Sequence, residues 1–140
     1  MANATTEGKV HLMILASQLL ALLAALLHVY IFLMESLWWE RPATRKVFGT
    51  SSDEAATTKA MAFNQGFYNL FLALAVIIGL VFQFAGHLAV GSTLVFTGLG
   101  SMALAATVLI ISSPDKSSAA LKQGVLPLLG LIVLILGLIR

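Results

Sequence analysis

The chain has 140 residues, 59% of them hydrophobic, with eight Lys and Arg against six Asp and Glu and no cysteine. A water-soluble domain carries roughly a quarter of its residues charged, and here the share is 10%. That composition excludes a soluble globular domain, a disulfide scaffold, a thiolate metal site and a cysteine nucleophile.

The charged residues lie in short clusters and leave charge-free runs at 10–34, 60–114 and 123–139. A bilayer core takes about 20 helical residues. The first run therefore crosses once, the second twice, and the third once with Lys122 snorkelling at its edge. The expected fold is all-α: a four-transmembrane-helix bundle filling 1–140 as a single domain, with spans at about 10–34, 60–85, 88–112 and 119–139.

The first span, Val10 to Met34, is too long for a signal-peptide core and no small-x-small cleavage site follows it, so it is expected to be retained. Ser17, Ala21, Ala24, His28, Ile31 and Glu35 recur at the alternating four-three spacing of a helix–helix seam. Trp38 and Trp39 follow, where indole rings sit at the headgroup level. The long loop from Glu35 to Lys59 contains Arg41-Pro42-Ala43-Thr44-Arg45-Lys46, which reads as a turn and then a basic segment lying on anionic headgroups. Ser51 and Glu54 have the spacing of a capping box, so the second long helix is expected to begin near residue 52.

In the second span Ala62, Gly66, Asn69, Ala73 and Val76 form the next seam. Gly86-His87 breaks the long apolar run into a hairpin. In the third span Gly91, Gly98, Ala105 and Ser112 recur every seven residues; Ser113-Pro114-Asp115 ends it as a turn signal. Gly130 and Gly137 recur likewise in the fourth. Small residues mark the expected packing faces because lipid supplies no hydrophobic drive between helices and close backbone approach is what remains.

An even number of crossings puts both termini and the 86–88 hairpin on one side, with Lys9 and Arg140. The other side carries Arg41, Arg45, Lys46, Lys59, Lys116 and Lys122. The excess of basic residues predicts both of these loops in the cytoplasm and both termini outside.

Nearly all the polar side chains belong to the first two spans. His28 lies seven residues deeper than Glu35, about 10 Å. Asn64, Gln65, Tyr68 and Asn69 lie roughly 6 to 14 Å in from Ala60, at the same level. Two antiparallel neighbours would bring these sets face to face, with Tyr30 nearby and Trp38 or Trp39 closing the mouth. The expectation is a polar pocket open to the cytoplasmic leaflet for a lipid or amphipathic small molecule. In it His28 and Glu35 handle protons, Tyr68 donates to a developing negative charge, and Asn64, Gln65 and Asn69 orient the ligand. An isomerase-type proton shuttle on these groups needs no cofactor. The alternative is a structural or accessory membrane protein, within an oligomer, whose polar cluster only locks the first two helices.

No metal is expected, since His28 and Glu35 supply only two suitable donors. Bis-histidine haem fails on depth, because His11 and His87 belong to the outer face and His28 to the inner half. The outer halves of the spans read as almost wholly apolar, which excludes a channel lining. No phosphate loop or zinc helix motif is present, and the basic balance is topogenic, with no bearing on nucleic acid.

The run His28-Val29-Tyr30-Ile31-Phe32-Leu33-Met34-Glu35-Ser36-Leu37-Trp38-Trp39, then Arg45-Lys46-Val47-Phe48-Gly49, then Asn64-Gln65-Gly66-Phe67-Tyr68-Asn69-Leu70-Phe71-Leu72-Ala73, resembles a family of small bacterial four-helix integral membrane proteins of the domain-of-unknown-function 1304 type. The resemblance covers most of the chain. It implies a multi-pass protein of the bacterial plasma membrane with His28, Glu35, Asn64, Gln65, Gly66, Tyr68 and Asn69 at signature positions, and it brings no reaction with it. A looser likeness to four-helix glutathione-dependent and eicosanoid membrane enzymes lacks their Glu-Arg and Arg-x-x-x-Asn-x-x-Glu pattern, so their activity is not carried over.

Overall fold

The computed structural model describes residues 4–139, with side chains from residue 7 onward. Arg140, expected at the terminal face, lies outside the described residues. Among the described residues there are five α-helices: α1 (Ala4–Phe32), α2 (Pro42–Phe48), α3 (Ser52–Phe84), α4 (Leu88–Ser112) and α5 (Ser117–Leu138). A π-helical turn, Leu33–Leu37, continues α1, and a 3₁₀ turn, Pro114–Lys116, precedes α5. There is no β-strand among the described residues.

Among the described residues four stretches, Glu7–Leu37, Ser52–Phe84, Leu88–Ser112 and Pro114–Leu138, are long and apolar enough to cross a membrane by length and composition. Their outer faces carry Leu12, Leu15, Phe84, Leu104 and Ile111 in the open, a continuous apolar coat that a water-soluble monomer does not show. The long helices form a square in which α1 packs on α3 and α5, and α4 packs on the same two from the opposite corner.

The interior is built largely from small side chains. Ala21, Ala24, Ala25 and Ala73 are fully buried beside Val76, Leu99, Met102 and Leu134. Every seam residue read from the first span is buried, as are Ala62, Gly66, Ala73 and Val76 of the second. The closest approach joins α3 to α4: a Cβ on Gly79 would meet Gly91 O at 2.8 Å, and one on Gly91 would meet Gly79 O at 2.6 Å. Only glycine on both sides admits that contact.

The seam of α4 departs from its expected course. Gly91 and Gly98 are buried, but Ala105 and Ser112 are exposed, and the buried stripe runs on through Met102 and Ala106. Ala105 is open because it borders the space at the loop end of the bundle described below, and Ser112 is the last residue of α4, where the packing face ends.

The long loop folds into a short helix, α2, where a turn and a basic segment were expected. Pro42 stands in the first turn of α2, where its missing N–H costs nothing, and Gly49 caps the helix in the left-handed region. The capping box opens α3: Glu54 N donates to Ser51 Oγ at 3.2 Å and Ser51 N donates to Glu54 Oε2 at 2.9 Å. Lys116 Nζ donates to Phe48 O at 2.9 Å, tying α2 to the start of α5.

Candidate functional site

The site begins with the π turn. Trp38 N donates to Leu33 O at 3.0 Å, a bond spanning five residues instead of four. One extra residue in the turn re-aims the side chains that follow it, a feature recurrent at functional sites. Here the turn carries Glu35, only 9% exposed, to the α3 side. Asn69 Nδ2 donates to Glu35 Oε2 at 2.8 Å. Ser36 Oγ donates to Phe63 O at 2.8 Å and secures the turn to α3. The approach depends on Gly66, where an added Cβ would collide with Ser36 Oγ and lie 3.0 Å from Ser36 N and 3.1 Å from Phe32 O.

Beside this pair a cavity of about 360 Å³ opens at the loop end of the bundle, bounded by the π turn, α3, α4, α5 and the loop around α2. Glu35, Gln65 and Asn69 line it together with Met61, Ala62, Ala105 and Leu109. Trp39 and Phe48 also line it, their rings 5.2 Å apart. The Trp39 indole is fixed by donating to Thr58 Oγ1 at 3.2 Å. Thr50, Glu54, Lys116 and Gln123 supply further polar groups. Pro127, buried within α5, has no N–H, so the carbonyl of Gln123 one turn earlier receives no helical bond from it. The cavity thus combines apolar walls with a few convergent polar groups, the general form of a small-molecule site.

Four of the expected site residues meet here: Glu35, Gln65, Asn69 and Trp39. The others do not line this cavity. Tyr68 is 67% exposed on the outer surface, and Asn64 is exposed as well. The reason is helical phase: at 100° per residue, positions 64 and 68 each stand about 200° from the inward Gly66, while 65 and 69 stay on the side of the cavity. Tyr30 is half-exposed and meets Trp38 edge-on, ring centroids 6.3 Å apart. His28 is buried, but its Nδ1 faces Ala24 O at 2.9 Å. Since a carbonyl only accepts, the Nδ1–H donates, and the ring is engaged with its own helix; Glu35 does not hold the imidazole. The pocket expected between the first two helices is therefore displaced toward α4 and α5, which were expected only to pack.

A second polar group escaped sequence reading altogether. In the half of the bundle that ends at the α3–α4 hairpin, Gln18 Nε2 donates to Gln83 Oε1 at 3.1 Å and Gln83 Nε2 donates to Ser92 Oγ at 3.1 Å, joining α1, α3 and α4. The signal was a single glutamine in an apolar span, whose cost unpartnered implies a partner. Among the described residues no three His, Asp or Glu side chains gather where a metal ion could be held.

Fold and site together define a multi-pass, four-helix membrane protein with a polar-lined cavity at one end of its bundle. Residues 22–135 match the model of the family described as Protein of unknown function (DUF1304), and the chain belongs to that family. No curated protein matches it, and no solved structure does.

Proposed function

We propose that the protein binds a lipid or amphipathic small molecule in the loop-end cavity, facing the cytoplasm of a bacterial plasma membrane. The observation carrying this reading is the void itself, lined by Glu35, Gln65 and Asn69 on one side and Met61, Ala62, Ala105 and Leu109 on another. A bundle can be held by small-residue packing alone, and interhelical hydrogen bonds in membranes are worth only about 0.6 kcal/mol on average. Stability is therefore a weak reason to keep a carboxylate there. Orientation rests on charge: Arg41, Arg45, Lys46, Lys59, Lys116 and Lys122 all belong to the end where the cavity lies.

Binding, and not isomerisation, is the activity proposed. Of the three residues expected to carry protons, Glu35 lines the cavity while His28 and Tyr68 do not. The rival reading, a polar lock between α1 and α3, draws its support from the direct Glu35–Asn69 bond. Native mass spectrometry of the purified protein separates the two. Under the binding reading the wild type carries a co-purified amphipath and Ala105→Trp, which fills the cavity from α4, loses it. Identical bound mass in both proteins, with unchanged thermal stability, leaves only the lock.

A further inference from the structure

The cavity has a neighbour. On the far side of Phe48, Lys116 and Ala119 lies a shallower depression of about 530 Å³ that shares those three residues as a wall. Its charged groups are Lys46, Lys116 and Lys122 against the single carboxylate of Asp115. The three lysines come from three separate elements: α2, the 3₁₀ turn and α5. Gathering like charges around one depression opposes itself by Coulomb repulsion, and the fold fixes one of the three, Lys116, there by a specific tie. Lys116 Nζ anchors the end of α2 through Phe48 O, and the Phe48 ring packs on Trp39. Across the shared wall the charges reverse, with Glu35 and Glu54 lining the cavity.

We infer that the ligand is a phosphate-bearing amphipath, its phosphate held by Lys46, Lys116 and Lys122 and its apolar part entering the adjoining cavity. The class follows from the chemistry of the two spaces. Ammonium groups on flexible stems bind phosphate as point charges, and a phosphate monoester offers three acceptor oxygens and up to two negative charges to three such donors. The apolar walls at Met61, Ala62, Ala105 and Leu109 suit a hydrocarbon, while a fully soluble anion leaves them uncovered. Both volumes fall within the roughly 300–1,000 Å³ usual for small-molecule sites. Topogenic charge alone asks only that lysines lie on one side of the membrane; it does not ask that three elements bring them around one depression that opens onto a cavity.

This assignment rests on the cavity being a binding site, and the experiment separates the two claims. Detergent-solubilised protein is titrated by native mass spectrometry with dioleoyl phosphatidic acid and with dioleoylglycerol, which lacks the phosphate. The proteins compared are wild type, the double variant Lys46→Gln/Lys122→Gln, and Ala105→Trp. Both lysines are exposed, and Lys116 is left in place because it ties α2 to α5. The double variant is expected to lose about 25-fold in affinity for phosphatidic acid at low salt, roughly fivefold per lysine, and to keep its affinity for dioleoylglycerol. Ala105→Trp is expected to lose both lipids. Phosphatidic acid bound equally by wild type and double variant overturns the phosphate assignment and leaves the cavity standing if Ala105→Trp still loses both. Loss in the lysine variant with no effect of Ala105→Trp overturns the amphipathic assignment and the cavity reading with it. A third arm adds inorganic phosphate at millimolar concentration. Displacement of phosphatidic acid supports the site and shows that a free phosphate satisfies the lysines; no displacement, together with the loss in the lysine variant, shows that they hold phosphate only when it is carried by a lipid.

Discussion

Gly66 sets the distance between α3 and the π turn, so adding one methyl group there tests the construction of the site. Alanine is preferred over glycine within a helix by about 1 kcal/mol, and on propensity alone Gly66→Ala would stabilise the protein. The new Cβ, however, falls onto Ser36 Oγ and lies 3.0 Å from Ser36 N and 3.1 Å from Phe32 O. Ser36 can rotate away only by giving up its bond to Phe63 O, worth about 1 kcal/mol. The two backbone atoms can retreat only by moving the turn, and overpacking of that kind costs about 1–3 kcal/mol. The net expectation is a loss of roughly 1–3 kcal/mol, together with separation of Glu35 from Asn69. Gly100 is the control: it lies within α4 and a Cβ there meets nothing within 4 Å, so Gly100→Ala is neutral or stabilising by up to about 1 kcal/mol. Reversible unfolding in mixed micelles, followed by the fluorescence of Trp38 and Trp39, measures both. If Gly66→Ala proves as stable as Gly100→Ala, the two backbones are not in the contact described and the placement of Glu35 fails with it.

Three further outcomes follow from the same geometry. A double-mutant cycle on Glu35→Ala and Asn69→Ala is expected to give a coupling of about 1 kcal/mol, between the membrane average and the value for bonds to charged groups; additive effects would dissolve the pair. Gln83→Leu breaks two interhelical bonds and Gln18→Leu one, so their costs in the same unfolding assay should stand near two to one, about 1.2 against 0.6 kcal/mol; equal costs would remove Gln83 from the centre of the clasp. Because the chain has no cysteine, a single introduced thiol reports topology cleanly. Ser52→Cys should react with an impermeant maleimide only after the cytoplasmic face is exposed, and His87→Cys in intact cells; the reverse pattern inverts the proposed orientation.

Some of the site was legible because its signal is periodic. The seam through Ala21, Ala24, His28 and Glu35 and the one through Ala62, Gly66 and Asn69 recur at helical spacing, so their shared faces can be counted off the chain, and the Ser51–Glu54 cap is a three-residue signature. Tyr68 and Asn64 fall outside the cavity because four polar residues within six positions must wrap around a helix and cannot share one face. The π turn gave no warning, since nothing in Leu33-Met34-Glu35-Ser36-Leu37 differs in composition from a continuing α-helix. Gln123, Lys116 and Thr58 could not be assigned to the cavity from the sequence, because each is ordinary within its own segment and becomes a lining residue only where three helices and a loop converge.

Hydropathy and charge, local quantities summed along the chain, determined that four helices of membrane length exist, where they break, and which of their faces hold small residues. Which helices stand next to each other, and what lies in the gap at their ends, was decided only by tertiary packing. That choice depends on contacts such as Gly79 against Gly91 and Gly66 against Ser36, in which a separation of a few tenths of an ångström is set jointly by residues far apart in sequence. It moved the polar space away from His28 and placed it against the lysines of α2 and α5.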